Sequence, residues 1–117
     1  MANNVTFKAG EIIFQEGTEA EAFYVIRSGK VRISRGSAVL DDIGSNAFFG
    51  EMSLIDNCPR SATATALEYT ECVEISSADF NKRLQSLDPV MQGIFRVLVE
   101  RIRILDRRLA RHDSQAY

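Results

Sequence analysis

Ala22-Phe23-Tyr24-Val25-Ile26-Arg27-Ser28-Gly29-Lys30-Val31-Arg32-Ile33 alternates like a β-strand, breaks once at a glycine and then starts again. Phe23 and Val25 fall on one face of an extended chain, and Tyr24 and Ile26 fall on the other. The same grammar continues on both sides. Upstream, Val5-Thr6-Phe7 ends at Gly10, and Glu11-Ile12-Ile13-Phe14 ends at Gly17. Downstream, a Gly36-Ser37 turn precedes Val39-Leu40 and Ile43, and Ser61 to Leu67 and Cys72 to Ile75 supply two more strands. Short β-branched and aromatic segments with turn signals at this spacing predict an antiparallel β-roll, barrel or sandwich.

The last third changes period. Ser77-Ala78-Asp79-Phe80 reads as a helix start, with a serine cap and an aspartate in the first turn. Asp88-Pro89 is a second start: aspartate caps, and proline sits where its missing N–H costs nothing. From Val90 to about Arg111 the pattern is helical. Phe95, Leu98, Ile102, Leu105 and Leu109 form a heptad-like seam, beside a second stripe of Val90, Ile94, Val97 and Ile104. One stripe docks a helix on its own domain; two predict a further contact. The expectation is a single α+β domain over residues 1–117, with a roll at about residues 5–76 and helices at about 77–86 and 89–111.

A chain of 117 residues has room for one core. Its apolar content of 45%, charged content of 26% and formal net charge of −2 give no electrostatic reason to expect nucleic acid or an anionic membrane as partner. Cys58 and Cys72 are too few for a disulfide scaffold, and no apolar run approaches the ~18 residues of a membrane span. A reduced, cytoplasmic protein is expected.

Chemistry concentrates in Phe48-Phe49-Gly50-Glu51-Met52-Ser53-Leu54-Ile55-Asp56-Asn57-Cys58-Pro59-Arg60-Ser61-Ala62. Gly50 lets the backbone approach a ligand or take a positive φ. Residues from Glu51 to Leu54 can form one helical turn whose N–H groups face an anion. An ionised Glu51 only accepts hydrogen bonds, so it suits a hydroxyl and repels a phosphate. Arg60 supplies a planar cationic fork for phosphate oxygens. Acceptor plus anion clamp implies a sugar phosphate, and the alternative is that Glu51 and Arg60 form an ordinary solvated surface pair.

These residues, taken with the roll before them, resemble the cyclic nucleotide-binding domain of bacterial catabolite regulators, cyclic-nucleotide-dependent kinases and nucleotide-gated channels. Phe7-x-x-Gly10-x-x-Ile13-Phe14-x-x-Gly17 and Tyr24-x-Ile26-x-x-Gly29-x-Val31 match the family's glycine-spaced roll. Phe49-Gly50-Glu51-Met52-x-Leu54 followed by Pro59-Arg60-Ser61-Ala62-Thr63-Ala64 looks like its phosphate-binding cassette. The resemblance runs from about Val5 to Leu109, and it implies a jelly-roll-like domain of about eight strands, a short cassette helix and C-terminal helices, the last acting as a lid. By the same resemblance Glu51 would accept the ribose 2′-hydroxyl and Arg60 would clamp the cyclic phosphate. Phe49, Gly50, Met52, Ser53, Ser61 and Ala62 would complete the cradle. Asn46-Ala47 stands where the family often has Pro-Gly, a change confined to a turn. Ser61 carries a hydroxyl that is compatible with either purine; cAMP is the expected ligand and cGMP the alternative. Arg101 and Leu105 are the candidates to cap the base, with Arg103 and Arg107 as further arginines on the same helix.

The remaining features point away from catalysis. The single histidine, His112, lies in the polar tail, so a cupin-like metal enzyme lacks its ligands and no metal or catalytic cofactor is expected. Cys58 beside Arg60 reads as an inert thiol. The expected activity is that of a non-catalytic sensor acting on an unidentified effector protein. A homodimer through Phe95, Leu98, Ile102, Leu105 and Leu109 is one further expectation. The sequence reaches Tyr117 without a helix-turn-helix segment, so direct DNA binding is not expected. The rivals are an interaction module with a vestigial pocket and, more remotely, a phosphodiesterase.

Overall fold

The computed structural model describes residues 2–109. Among them are the strands β1 (Ala2–Phe7), β2 (Ile12–Phe14), β3 (Ala22–Ser28), β4 (Val31–Arg35), β5 (Ala38–Ile43), β6 (Phe48–Phe49), β7 (Thr63–Ala66) and β8 (Thr70–Ser76). They form two four-stranded antiparallel sheets, ordered β1-β8-β3-β6 and β2-β7-β4-β5. Helix α1 (Glu51–Asp56) interrupts the roll between β6 and β7, and α2 (Ser77–Gln85) and α3 (Pro89–Leu109) follow it. This is the jelly-roll-like α+β arrangement expected above. The chain divides after Ser77 into two compact units, the roll and the helical segment.

Alternation places the core. Tyr24 and Ile26 of β3, Val31 and Ile33 of β4, Ala64 of β7 and Cys72 of β8 are buried together with Phe49 and Ala62. Fully burying one such aliphatic side chain contributes roughly 1.5–3 kcal/mol, so the two inner faces hold the sheets together without a disulfide. β6 is an edge strand of two residues, pairing Phe49 with Tyr24 and Phe48 with Val25. That pairing carries the chain from the sheet straight into α1.

The β3–β4 turn rests on Gly29, at φ +107. Thr70 lies against it, fully buried, with its hydroxyl donating to the Glu68 carbonyl at 2.9 Å and accepting the Lys30 N–H at 3.3 Å. A buried polar side chain is tolerated here because its hydrogen bonds are made.

Two titratable core groups set an upper pH limit on the roll. Burial pushes the Cys72 thiol from its ordinary 9.0 up to about 11. Burial, reinforced by the Glu74 carboxylate, pushes the Tyr24 hydroxyl from 10.0 up to about 12. Both groups are held neutral, so their contribution to stability is complete below the ordinary values and is lost as pH rises through the shifted ones. The urea midpoint should hold steady up to about pH 9 and fall between about pH 9 and 12, and Tyr24→Phe should flatten the upper part of that fall. A midpoint that is level through pH 12 would contradict this.

In the helical unit, Asp88 caps α3 through a Met91 N–H to Oδ1 bond of 2.9 Å, and Asp79 pairs with Arg83 one turn along α2 at 3.0 Å. Phe80 and Phe95 meet edge to face, 6.4 Å between centroids. Leu98, Ile102 and Leu105 of the seam, and Val90, Ile94, Val97 and Ile104 of the second stripe, are all exposed. Val99, which belongs to neither stripe, is buried and lies one turn after Phe95. The Arg103, Arg107 and Leu109 side chains, residues 110–111 of the predicted helix, and His112 lie outside what is described. No helix among the described residues is long and apolar enough to cross a membrane.

Candidate functional site

Gly50 begins α1 in the left-handed region, at φ 85 and ψ 0. The helix ends at Asn57, also left-handed, whose N–H returns to the Ser53 carbonyl. Cys58 N–H reaches the same carbonyl at 3.1 Å. The two αL residues turn six helical residues into a tight bracket that returns the chain to Arg60. Arg60 is then pinned by its own backbone, its N–H donating to the Thr18 carbonyl at 2.9 Å and its carbonyl accepting the Gly17 N–H at 2.7 Å.

The side chain of Arg60 is buried, at 5% exposure. Nη1 donates to the Gly50 carbonyl at 2.7 Å and Nη2 donates to the Ala22 carbonyl. The guanidinium lies 4.0 Å above the centre of the Phe14 ring. Phe14 in turn packs on Tyr24 and Phe49, which stack at 5.3 Å. An aromatic floor and two carbonyls therefore fix where the cation points.

Glu51 follows Gly50 at the start of α1. Burial raises its carboxyl above the usual carboxylate range, opposed by its own backbone amide and by Arg60. Burial likewise lowers Arg60, opposed by Tyr24 and Glu51. Glu51 Oε2 and Arg60 Nε are both sealed from solvent without a hydrogen-bond partner. The solvated surface pair considered from the sequence is therefore not what forms. Two opposite charges sit in one bracket, each with a polar atom unspent.

The other predicted residues divide. Ser53 is buried and serves the turn through its carbonyl, while Met52 and Ser61 are half-buried. Phe49 and Ala62 are fully buried members of the core, where they shape the bracket from beneath. Arg101 and Leu105 are exposed positions of α3. Sequence reasoning missed Phe14 and Ala22 as partners of Arg60, and Arg35, whose Nε–H donates to the Ser61 carbonyl at 2.9 Å. It also missed a cavity of about 390 Å³ that reaches Arg60 past Phe14, Ala22, Tyr24, Glu74 and Ser76. Only Phe14 left a trace, in the glycine-spaced pattern.

The family model of the cyclic nucleotide-binding domain matches residues 4–86, more than half of the chain. The chain belongs to the cyclic nucleotide-binding domain family. Among relatives of this domain, the cyclic AMP receptor protein of Thermus thermophilus is 34% identical over 108 residues, which is 88% of this chain and 50% of that protein. A cAMP-dependent protein kinase regulatory subunit of Dictyostelium discoideum is 32% identical over 96 residues, 75% of this chain and 29% of that protein. The chain thus spans half or less of the length of these curated relatives. Among solved structures, the cAMP-bound form of the EAL enzyme Bd1971 superposes with a TM-score of 0.71 at 34% identity, covering 88% of this chain and 29% of that one. Its cGMP-bound form gives 0.73 at 34% identity, covering 86% and 28%. The matched region is less than a third of either of these two chains.

Proposed function

We propose that this chain is a non-catalytic sensor that binds cAMP, with cGMP as the alternative. Arg60 and the N-terminal backbone of α1 hold the cyclic phosphate, and Glu51 accepts the ribose 2′-hydroxyl. The observation that carries the reading is the pair of unsatisfied buried atoms, Glu51 Oε2 and Arg60 Nε. Leaving such an atom unpaired costs about 1–3 kcal/mol, more for a charged group. A ligand with a hydroxyl and an anion a few bonds apart relieves both costs at once. A phosphate alone relieves one, and a neutral sugar relieves the other. The structurally similar EAL enzyme Bd1971, solved in a cAMP-bound and a cGMP-bound form, supports the ligand class.

In this reading Nη1 and Nη2 stay on the Gly50 and Ala22 carbonyls while Nε meets the phosphate. By the family resemblance the base cap would fall to Arg101 or Leu105 of α3. The helix responds to ligand only as far as its contacts are better in the bound state, and an effector protein reads that change. Calorimetric titration with cAMP and cGMP tests the reading; absence of binding by either at micromolar nucleotide refutes it. A finer expectation concerns Glu51. Glu51→Ala should lose roughly 1.5–3 kcal/mol of affinity for cAMP yet lose none for 2′-deoxy-cAMP, which has no hydroxyl for Glu51 to hold. Equal losses for both nucleotides would place the hydroxyl elsewhere.

A second reading is favoured by one observation, the exposure of Leu98, Ile102 and Leu105 along α3. A contiguous apolar stripe on a surface helix suits a second copy of the same helix. Size-exclusion runs over a concentration series, with and without cAMP, separate a ligand-responsive dimer from an unresponsive one.

A further inference from the structure

Glu51 opens α1 with a carboxyl folded away from water, its Oε2 sealed from solvent and accepting no hydrogen bond. Helix α1 rests on β3. Among the described residues, Arg60 is the charged group that acts on this carboxyl. The two are not bonded through Oε2 and Nε, since both atoms lack a partner. The Tyr24 hydroxyl of β3, pushed up to about 12, is neutral at ordinary pH, and the Cys58 thiol just past the helix is exposed. Before a ligand enters, one carboxylate therefore stands against one guanidinium, and their charges cancel.

A cyclic phosphodiester keeps one negative charge wherever carboxylates titrate. Held by Arg60, it leaves two anions sharing one cation in a space closed to water. An unmatched buried charge is costly, and a second anion nearby raises the proton affinity of a carboxyl. Burial already holds Glu51 above the usual carboxylate range. A proton on Glu51 removes the excess charge. The neutral carboxyl still accepts a hydroxyl through its carbonyl oxygen and gains an O–H to donate.

We propose that nucleotide binding is coupled to proton uptake by Glu51, the phosphate entering the bracket as the carboxyl becomes neutral. The proposal rests on the cyclic nucleotide reading above and gives that site a regulator, the pH. The coupling is reciprocal: the proton strengthens nucleotide binding by the factor by which nucleotide strengthens proton binding. The gain in affinity begins as pH falls through the value Glu51 has with nucleotide bound, and it is complete below the value Glu51 has without.

The test is calorimetry with cAMP and with cGMP from about pH 8 to about pH 5, in two buffers of different ionisation enthalpy. Affinity should rise about fivefold or more for both nucleotides, and the heats should differ between buffers in the sense of proton uptake. His112→Gln, which removes the single histidine, should behave as the unmodified protein does. Glu51→Gln should vary by less than about twofold, below the range of a coupled site, and take up no proton. In carboxyl 13C spectra, the signal that Glu51→Gln lacks should titrate at higher pH with nucleotide than without. Binding without uptake, uptake that survives Glu51→Gln or is lost in His112→Gln, or an unmoved Glu51 midpoint each overturns this inference and leaves the nucleotide reading standing. A response confined to cAMP does the same, by tracing the proton to the adenine ring. If Glu51→Gln does not bind, the carboxyl midpoint decides. An unmodified protein that binds neither nucleotide defeats the nucleotide reading and this inference with it.

Discussion

Arg60→Ala should weaken cAMP binding by roughly 2–5 kcal/mol, a rise in Kd from about thirty-fold to several thousand-fold. Arg60 is the cation left with an unpaired Nε inside the bracket, and a phosphate that enters without it meets the buried Glu51 carboxyl unopposed. The same substitution should also lower Tm. It strips the donors from the Gly50 and Ala22 carbonyls and the cation from the Phe14 ring, interactions of about 1.5–3 kcal/mol and 0.5–2 kcal/mol respectively. Arg60→Lys separates the two effects poorly, since one ammonium cannot reproduce a planar fork that spans two carbonyls. Calorimetry below the lowered Tm gives the binding number; affinity equal to the unmodified protein's would remove Arg60 from the phosphate site.

Gly29→Ala should cost the roll about 3 kcal/mol or more. The backbone there is at φ +107, and a left-handed L-residue costs roughly 1–2 kcal/mol before any contact is counted. A β-carbon would lie 2.7 Å from Thr70 Cα and 2.7 Å from the Tyr69 carbonyl oxygen, both backbone atoms that cannot swing aside. Forcing extra volume into such a site adds about 1–3 kcal/mol. Gly36→Ala is the matched control, because φ is also positive there and nothing lies within 4 Å of the new methyl. Urea unfolding of the two variants gives the contrast, and equal midpoints would show that the Thr70 contact yields.

The strands were legible where side chains alternate over enough residues to display a period. Tyr24 and Ile26 turn inward together, and the glycine that breaks the run is one that a Cβ could not replace without a clash. β6 was not legible as a strand: two residues show no period, and Phe48-Phe49 owes its state to pairing with β3. In the bracket, the chemistry of Glu51 and Arg60 could be read from residue type and spacing. Their burial could not, nor could the partners of Arg60. Two of those partners are main-chain carbonyls, which carry no residue signature, and the third is a ring brought in from β2 by the fold. Phe49 and Ala62 belong to the same motif yet face the core, because a sequence pattern does not separate residues that touch a ligand from residues that shape the wall behind it. On α3 two apolar stripes were visible, but Val99, the buried residue among those described there, lies off both.

The double hold of Arg60 on Gly50 and Ala22 bears on how a signalling-dead allele should be built. A truncation at this arginine cuts a tie between the bracket and β3, so a cell carrying it would lose protein as well as response, and the two losses would be confounded. Glu51 touches nothing through Oε2. On the proposed reading its replacement should weaken nucleotide binding while leaving that tie in place, and it is the cleaner lesion for asking what a nucleotide bound here controls.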